Sequence, residues 1–291
     1  MYAIKTEKLT KSYGASRGIV GVDLAVEKGD FFGFIGPNGA GKSTTIRTLL
    51  GLIEKSSGEA RILGKDITQN RTEILKDVGY LPSDVAFYGG MKVSDMLKLS
   101  SKLRGIDCTA EAKRLAERLE VDLERKISQL SFGNRKKVGI ILALQHKPSL
   151  YILDEPTSGL DPLMQREFYS ILKERNDEGA TVFLSSHVLS EVGKYCKNAA
   201  VIRDGRILVA DSVKNLAHTG IKKVSLSGVL QIPEIDSAKD IKLEGDILTF
   251  LYDKSPENLI KELGKLHFSD INISDPDLEE VFMHYYVREE I

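Results

Sequence analysis

The sequence is short of three features that would each point to a particular class of protein. It has only two cysteines in 291 residues, Cys108 and Cys196, and they form no motif. Both are therefore expected to be reduced thiols of a cytosolic protein, and a disulfide framework is excluded. No apolar run approaches the roughly 18 residues of a membrane-spanning helix. The first residues are not typical of a secretory signal peptide.

Excess charge of either sign is also lacking. Lysine and arginine number 41 and aspartate and glutamate 42, which leaves a formal net charge of −1. This balance provides no strong field for nucleic acid or for an acidic substrate. With 42% hydrophobic residues the chain can bury a core. Its length is long for one domain and short for two full ones.

A phosphate-binding pattern is present near the N-terminus. Residues 36–44 match G-x-x-x-x-G-K-[ST]. The glycines let backbone N–H groups surround phosphate oxygens, and the following helix adds the positive end of its dipole. Lys42 is expected to reach the β- and γ-phosphates, and the Ser43 hydroxyl to bind Mg²⁺. The apolar run 31–35 predicts a buried strand before the loop, and residues 44–50 predict a helix after it.

A second element is an apolar strand that ends in two carboxylates, at residues 150–155. Buried parallel strands read as continuous apolar runs, and ligands bind beyond their carboxyl ends. Asp154 is therefore placed to help hold Mg²⁺. Glu155 is the candidate general base that polarises the attacking water.

These two elements belong to seven ordered motifs, and residues 2–215 together resemble the ATP-binding subunit of an ABC transporter. The P-loop is then the Walker A motif, and the acidic strand end is Walker B. The other five are Tyr13 of the A-loop, Tyr80-Leu81-Pro82-Ser83 at the Q-loop position, residues 130–134 at the signature position, Ser158-Gly159-Leu160-Asp161 as the D-loop, and His187 as the switch histidine.

The resemblance implies an α/β fold, the P-loop NTPase core of an ABC ATPase. In it a mixed sheet surrounds the P-loop helix, with an antiparallel β subdomain and an α-helical subdomain at about residues 84–145. It also implies ATP and Mg²⁺ as cofactors, with Tyr13 stacking on adenine. Its catalytic residues would be Glu155, Lys42 and the γ-phosphate-sensing His187. The implied metal-binding residues are Ser43, Asp154 and Ser83. The implied nucleotide-binding residues are Tyr13, Gly36, Pro37, Asn38, Gly39, Ala40, Gly41, Lys42, Ser43, Thr44, Ser131, Gly133 and Asp161.

Two motifs depart from the family pattern. In the signature, Phe132 replaces a glycine and Asn134 replaces a glutamine. Phenylalanine adopts positive φ only at a cost, so we expect an ordinary backbone there. In the Q-loop, Ser83 replaces glutamine, with Asp84 next. Serine is too short to reach as far as glutamine, and either a water or Asp84 would have to fill the gap.

Local patterns predict further elements of this fold. Val20, Val22, Leu24 and Val26 alternate as in a half-buried strand of an antiparallel region at 1–30. Helices are predicted at 93–103, 110–119, 162–176 and from 188, strands at 59–63 and 180–185, and a turn at 204–205. Lys136 and Lys137 are expected on a solvated helix face. The four histidines outside the motifs are expected to be surface or packing residues: His146, His218, His267 and His284.

The ATPase core is predicted to span residues 1–218, and a small α+β extension residues 219–291. Two strands are expected about a turn at 245–246, followed by helices at 255–266 and 275–282. The extension resembles that of an ABC branch that pairs with separate permeases exporting drugs, antibiotics, lipids or ions. No catalytic pattern is present in it.

Taken together, the motifs favour an ATPase subunit that powers a separate membrane permease from the cytoplasmic face of the cell membrane, and the resemblance of the C-terminal extension favours an exporter. One P-loop and one signature in the chain imply a partner ATP-binding subunit, identical or related. No nucleic-acid partner is expected. Two alternatives stay open: a soluble ABC ATPase that acts on ribosomes or DNA, and a non-hydrolysing regulatory ABC subunit.

Overall fold

The computed structural model describes residues 1–14, 16–217, 221–233 and 235–276. The chain forms two compact units, which divide between Asp211 and Ser212. The predicted domain boundary at 218–219 lies outside the described residues, and so does most of the helix predicted at 275–282.

The first unit alternates strands and helices. Its strands in chain order are β1 (Tyr2–Tyr13), β2 (Ser16–Glu27), β3 (Phe31–Ile35), β4 (Ser57–Ile62), β5 (Lys65–Asp66), β6 (Val78–Leu81), β7 (Leu150–Asp154), β8 (Thr181–Ser186), β9 (Asn198–Arg203) and β10 (Arg206–Ser212), whose last residue already belongs to the second unit. Its helices are α1 (Lys42–Leu49), α2 (Arg71–Asp77), α3 (Val93–Arg104), α4 (Thr109–Arg118), α5 (Phe132–Leu144), α6 (Pro162–Asp177) and α7 (Leu189–Tyr195).

A six-stranded sheet in the order β10-β9-β3-β8-β7-β6 forms the centre of this unit. β9, β3, β8, β7 and β6 run parallel. The two-residue turn at 204–205 makes β10 antiparallel to β9, because parallel neighbours need a long crossover. Every residue of β3, β7 and β8 is buried, as expected for strands covered on both faces. The sheet is therefore mixed, as predicted.

A second, antiparallel sheet has the order β2-β1-β4-β5. The simple alternation predicted for β2 is wrong at one position, because Val20 is 41% exposed whereas Val22, Leu24 and Val26 are buried. The β1–β2 ladder is irregular between the Leu9–Val22 and Lys11–Ile19 pairs. An extra residue in one strand moves the next side chain to the opposite face. Ile19 therefore takes the buried position that the alternation assigns to Val20.

The two sheets share one hydrophobic core with the P-loop helix α1. Ile46 and Leu49 of α1 are fully buried and belong to the same cluster as residues from both sheets. Phe183 of β8 lies at the centre of an aromatic group. Its ring centroid is 5.9 Å from that of Phe32 and 5.3 Å from that of Phe34. Aromatic packing of this kind fixes β3 against β8, and these two strands carry two of the site loops.

Helices α3, α4 and α5 form the helical region expected at about residues 84–145. Ion pairs connect its helix α4 to helix α6. Arg118 Nη1 lies 2.6 Å from Glu174 Oε2, and Arg175 pairs with Glu111. Among the residues that the structure describes, no helix combines the length and apolarity needed to cross a membrane.

The second unit contains α8 (Val213–Ala217), β11 (Lys222–Ser227), β12 (Ala238–Glu244), β13 (Ile247–Tyr252), α9 (Pro256–Leu263) and β14 (Asp270–Ser274). Its sheet has the order β12-β13-β11-β14, and every pair is antiparallel. Val224, Phe250 and Leu259 belong to a core of its own. The unit is a small α+β domain, and β12 and β13 flank the turn predicted at 245–246.

His146, just after α5, is a buried histidine whose Nε2 lies 3.3 Å from the Val78 carbonyl oxygen. Burial lowers its pKa to about 4, and the positive charge of Arg104 acts in the same direction. The ordinary histidine pKa is 6.5. Between these two values the unfolded chain binds a proton that the folded chain does not, so folding is weakened there.

We therefore expect the free energy of unfolding to fall as pH is lowered from about 7 to about 4. His146 should contribute up to about 3 kcal/mol of this fall. Urea unfolding at a series of pH values should show a flatter profile for His146→Gln. The exposed His267 supplies the control, since His267→Gln should keep the steep profile. An equally steep profile for His146→Gln would contradict this assignment.

Candidate functional site

Three loops of the site leave the same edge of the six-stranded sheet. β3, β7 and β8 are parallel neighbours, so their carboxyl ends lie side by side. The register pairs Ser185 with Asp154 and Ser186 with Ile35. The P-loop, Glu155 and His187 follow these strand ends directly, and the topology therefore brings them together.

The P-loop, residues 36–44, needs glycine at several positions. Gly39 has φ of +82° and Gly41 of +109°, values that other residues adopt only at a cost. A Cβ at Gly36 would lie 2.4 Å from the Ile202 carbonyl oxygen. The loop turns directly into α1, whose first residue is Lys42. This compact backbone is what a loop that surrounds phosphate oxygens requires.

Lys42 is held by the loop and by the acidic strand end at the same time. Its Nζ lies 2.5 Å from the Gly36 carbonyl oxygen and 3.2 Å from that of Pro37. The same atom lies 3.1 Å from Glu155 Oε1. The side chain is only 6% exposed. A buried ammonium group of this kind is a strong electrostatic partner for a phosphate.

Glu155 contacts both of the other residues that the sequence predicts as catalytic, Lys42 and His187. Its second carboxylate oxygen, Oε2, lies 2.7 Å from His187 Nδ1, while Oε1 faces Lys42. Its backbone has φ of +48°, which costs a non-glycine residue about 1–2 kcal/mol. The Glu155 N–H donates to the Ser185 carbonyl oxygen at 3.2 Å. A strained backbone held by its neighbours is typical of a functional site.

Asp154, the last residue of β7, is completely buried. Ser185 Oγ donates a hydrogen bond of 2.6 Å to Asp154 Oδ1, but Oδ2 has no hydrogen-bond partner among the described residues. A buried carboxylate oxygen of this kind suits a hard cation such as Mg²⁺. Within the described residues, no group of three or more His, Cys, Asp or Glu side chains could hold a metal ion. A Mg²⁺ ion at Asp154 would have to take most of its ligands from phosphate and water, and its binding by Asp154 and Ser43 stays a prediction.

The signature and the D-loop pack directly against each other. Ser131 caps α5, and its Oγ accepts a hydrogen bond from the Asn134 N–H at 3.3 Å. A Cβ at Gly133 would lie 2.7 Å from the Gly159 carbonyl oxygen. A Cβ at Gly159 would in turn lie 2.4 Å from the ring of Phe132. Phe132 begins α5 with an ordinary backbone, as predicted.

Comparisons with known proteins agree with this geometry. The family described as ABC transporter matches residues 19–158. Bacitracin transport ATP-binding protein BcrA of Bacillus licheniformis is 39% identical over 211 residues, which cover 70% of this chain and 68% of that protein. Linearmycin resistance ATP-binding protein LnrL of Bacillus subtilis (strain 168) is 30% identical over 302 residues, which cover 97% of each. This chain belongs to the ABC transporter family.

The fold of the ABC ATPase is also found among solved structures. The chain resembles a structure described as the ATP binding subunit of an ABC transporter, with a TM-score of 0.69 and 29% identity. The similarity covers 74% of this chain and 91% of that one. The predicted fold class and family are thus confirmed, and the chain is an ATPase that binds adenine nucleotide.

Two predicted nucleotide-binding residues of this ABC ATPase have other contacts in the structure. Tyr13 ends β1, is 46% exposed, and has Lys11 Nζ 5.1 Å from its ring centroid. Asp161 caps α6, and its Oδ1 accepts hydrogen bonds from the N–H groups of Met164 and Leu163 at 3.0 and 3.1 Å. These two bonds lower the pKa of Asp161. Contact of either residue with a nucleotide stays a prediction.

The prediction that Lys136 and Lys137 lie on a solvated face is wrong. Lys136 is 1% exposed and Lys137 is 8% exposed, because α5 packs against both β6 and the other two helices of its region. Lys136 Nζ donates to the carbonyl oxygens of Pro82 and Ser83, at 3.1 and 2.9 Å. The Q-loop is therefore bonded through its backbone to the helix that follows the signature.

Burial lowers the pKa of Lys136 to about 8. The negative charges of Asp154, Asp84 and Glu155 act in the opposite direction. Leu81 of β6 is in register with Leu153 of β7, so the carbonyl groups that Lys136 binds follow β6 at the same sheet edge as Asp154 and Glu155.

Sequence reasoning missed Ser185 and Lys136 as parts of this site. Ser185 bonds to the side chain of Asp154 and to the backbone of Glu155. The sequence does indicate a role for Ser185, because it lies at the carboxyl end of an apolar strand, and such strand ends form the ligand-binding edge of an α/β sheet. Nothing in the sequence indicates the role of Lys136, since its hydrogen-bond partners are 53 and 54 residues away along the chain.

We expect Ser185→Ala to lower kcat for ATP hydrolysis about ten-fold or more. The variant removes a hydrogen bond to a charged group, which is worth about 1.5–3 kcal/mol, and leaves Asp154 free to turn. Steady-state ATPase assays at saturating ATP would measure this loss. Ser170→Ala, on the exposed side of α6, is the matched control and should keep the rate. A Ser185→Ala rate equal to that of the control would show that Ser185 does not orient Asp154.

Proposed function

We propose that Glu155 and its two partners form the hydrolytic centre of this ATPase. The observation that carries the proposal is the convergence of Lys42 and His187 on the two oxygens of one carboxylate. In this proposal Glu155 accepts a proton from the attacking water, and His187 orients Glu155 and faces the γ-phosphate. Lys42 binds the β- and γ-phosphates.

Mg²⁺, when bound, supplies charge neutralisation at the β- and γ-phosphate oxygens. Ser43 and Asp154 would hold it, which the partnerless Asp154 Oδ2 supports. Ser83 is proposed to contact it only through water, because its side chain is short.

The proposed nucleotide-binding surface extends beyond the phosphates. Backbone N–H groups of residues 36–44 would surround the phosphate oxygens, and Tyr13 would stack on adenine. Ser131 and Gly133 are proposed to contact the γ-phosphate of a second ATP-binding chain, together with Asp161 of the D-loop. One P-loop and one signature per chain then make two complete sites only in a head-to-tail dimer. ATP would favour this closed dimer, and hydrolysis would reopen it.

We further propose that the dimer powers a separate membrane permease, at the cytoplasmic face of the cell membrane. The relatives that support this are named for bacitracin transport and for linearmycin resistance. Export of an antimicrobial or similar compound is therefore the transport function that we favour.

Glu155→Gln should separate ATP binding from hydrolysis. Loss of a general base lowers turnover by about a hundred-fold or more, whereas the P-loop stays intact. We expect ATP to convert the variant to a species of twice the 32.2 kDa chain mass in light scattering coupled to size exclusion. The exposed Glu73 supplies the control, and Glu73→Gln should hydrolyse ATP at the normal rate. A Glu155→Gln variant that binds ATP and remains monomeric would contradict the dimer.

The permease is tested by purifying the tagged chain from detergent-solubilised native membranes, followed by mass spectrometry. A stoichiometric partner with several transmembrane helices is the expected result. Recovery with ribosomal proteins or nucleic acid, and without such a partner, would overturn the transport function.

A further inference from the structure

One face of α5 packs closely against β6 and the segment that follows it. Lys136, Gly139 and Ala143 lie three and four residues apart, so they share this face. A Cβ at Gly139 would lie 2.9 Å from Leu81 Cδ1, and a Cβ at Gly79 would lie 2.2 Å from the Ala143 carbonyl oxygen. Neither glycine has room for a side chain, so α5 and β6 lie in close contact at both positions. This contact fixes the position of Lys136 along α5 relative to the end of β6.

Lys136 makes the polar contact of this face. Its Nζ donates to the carbonyl oxygens of Pro82 and Ser83. Residues 82–88 contain neither helix nor strand, so their carbonyl groups depend on donors from elsewhere. An ammonium group has three donors and can serve two carbonyls at once. Because the side chain is 1% exposed, these bonds are shielded from competing water.

The segment that Lys136 binds lies beside the Walker B strand end. β6 and β7 are parallel neighbours with Leu81 in register with Leu153, so Pro82 and Ser83 leave the sheet at the same edge as Asp154 and Glu155. A buried ammonium group is tolerated only where it is hydrogen-bonded, and the two carbonyl oxygens provide these bonds. The Q-loop itself offers Ser83, whose side chain is shorter than the glutamine that the family has at this position. Lys136 is thus bonded to the Q-loop backbone where it passes the strand end that carries the Walker B carboxylates.

We propose that Lys136 is a positioning residue for ATP hydrolysis, and that it replaces the long Q-loop side chain that Ser83 lacks. It holds Pro82 and Ser83 beside the Walker B carboxylates and joins them to the signature helix. A displacement of α5 would then move the Q-loop with it. The proposal rests on the hydrolytic role proposed for Glu155.

The test compares Lys136→Met with Lys136→Arg in the full-length chain. Methionine keeps the length and the apolar stem but has no donor, whereas arginine keeps charge and donors. We expect Lys136→Met to lower kcat about ten-fold, by loss of charged hydrogen bonds, with KM for ATP changed less than about two-fold. Lys136→Arg should recover most of kcat. Lys113→Met, on the exposed side of α4, should behave as the parent chain does.

A second readout does not depend on activity. Hydrogen–deuterium exchange should become faster in residues 82–88 of Lys136→Met, with little change in α1 and β8. Adding Ser83→Gln to Lys136→Met should recover part of kcat, because glutamine restores a long polar side chain to the Q-loop. If Lys136→Met does not fold, Lys136→Gln, which keeps one donor group, takes its place in the same comparisons.

Three results would overturn the role of Lys136: an unchanged kcat, unchanged exchange in residues 82–88, or equal loss in the arginine and methionine variants. A separate result would overturn the hydrolytic role proposed for Glu155, namely a Glu155→Gln variant that hydrolyses ATP at the parent rate. Unchanged exchange would count against Lys136 in either case, since that measurement needs no turnover.

Discussion

The carboxylate of Glu155 is the point on which the rest of the site depends. One oxygen faces Lys42 and the other faces His187, so the loops after β3, β7 and β8 meet at a single side chain. This is possible because the three strands are parallel and adjacent, with Asp154 in register with Ser185. Glu155 has a left-handed backbone directly after β7, at a local cost in free energy. Packing of Phe183 against Phe32 and Phe34 holds β3 and β8 together.

The signature and the Q-loop each depart from the family pattern, and in each case contacts made elsewhere in the fold accommodate the changed residue. Phe132 begins a helix, where a side chain is allowed, and its ring covers Gly159 of the D-loop. Signature and D-loop are thereby held together within one chain. The Q-loop has a short Ser83, and its backbone is bonded instead to Lys136. The intact Walker B pair and His187 favour a hydrolysing ATPase over a regulatory subunit, as does the tight contact between Lys42 and Glu155.

Much of the fold and of the candidate site could be predicted from the sequence, because the motifs that form the site are short and continuous in the chain. The P-loop glycines fix their own turn, and an apolar strand that ends in Asp154 and Glu155 predicts both its burial and the edge where it ends. Long-range packing was harder to predict. The burial of Lys136 depends on carbonyl groups more than 50 residues away, and two adjacent lysines are usually solvated. The alternating pattern wrongly predicts that Val20 is buried, because the sequence does not reveal the irregularity in the β1–β2 ladder.

We expect this sheet edge to bind Mg²⁺ and ATP through Asp154, Lys42 and Glu155. The most direct measurement is a crystal structure of the unmodified chain with Mg²⁺ and a non-hydrolysable ATP analogue. In that structure we expect Asp154 Oδ2 to face the metal and Lys42 to have left Glu155 for the phosphates, with Glu155 and His187 turned toward the γ-phosphate. A nucleotide bound elsewhere, or a metal remote from Asp154 while Lys42 still contacts the Gly36 carbonyl oxygen, would contradict it.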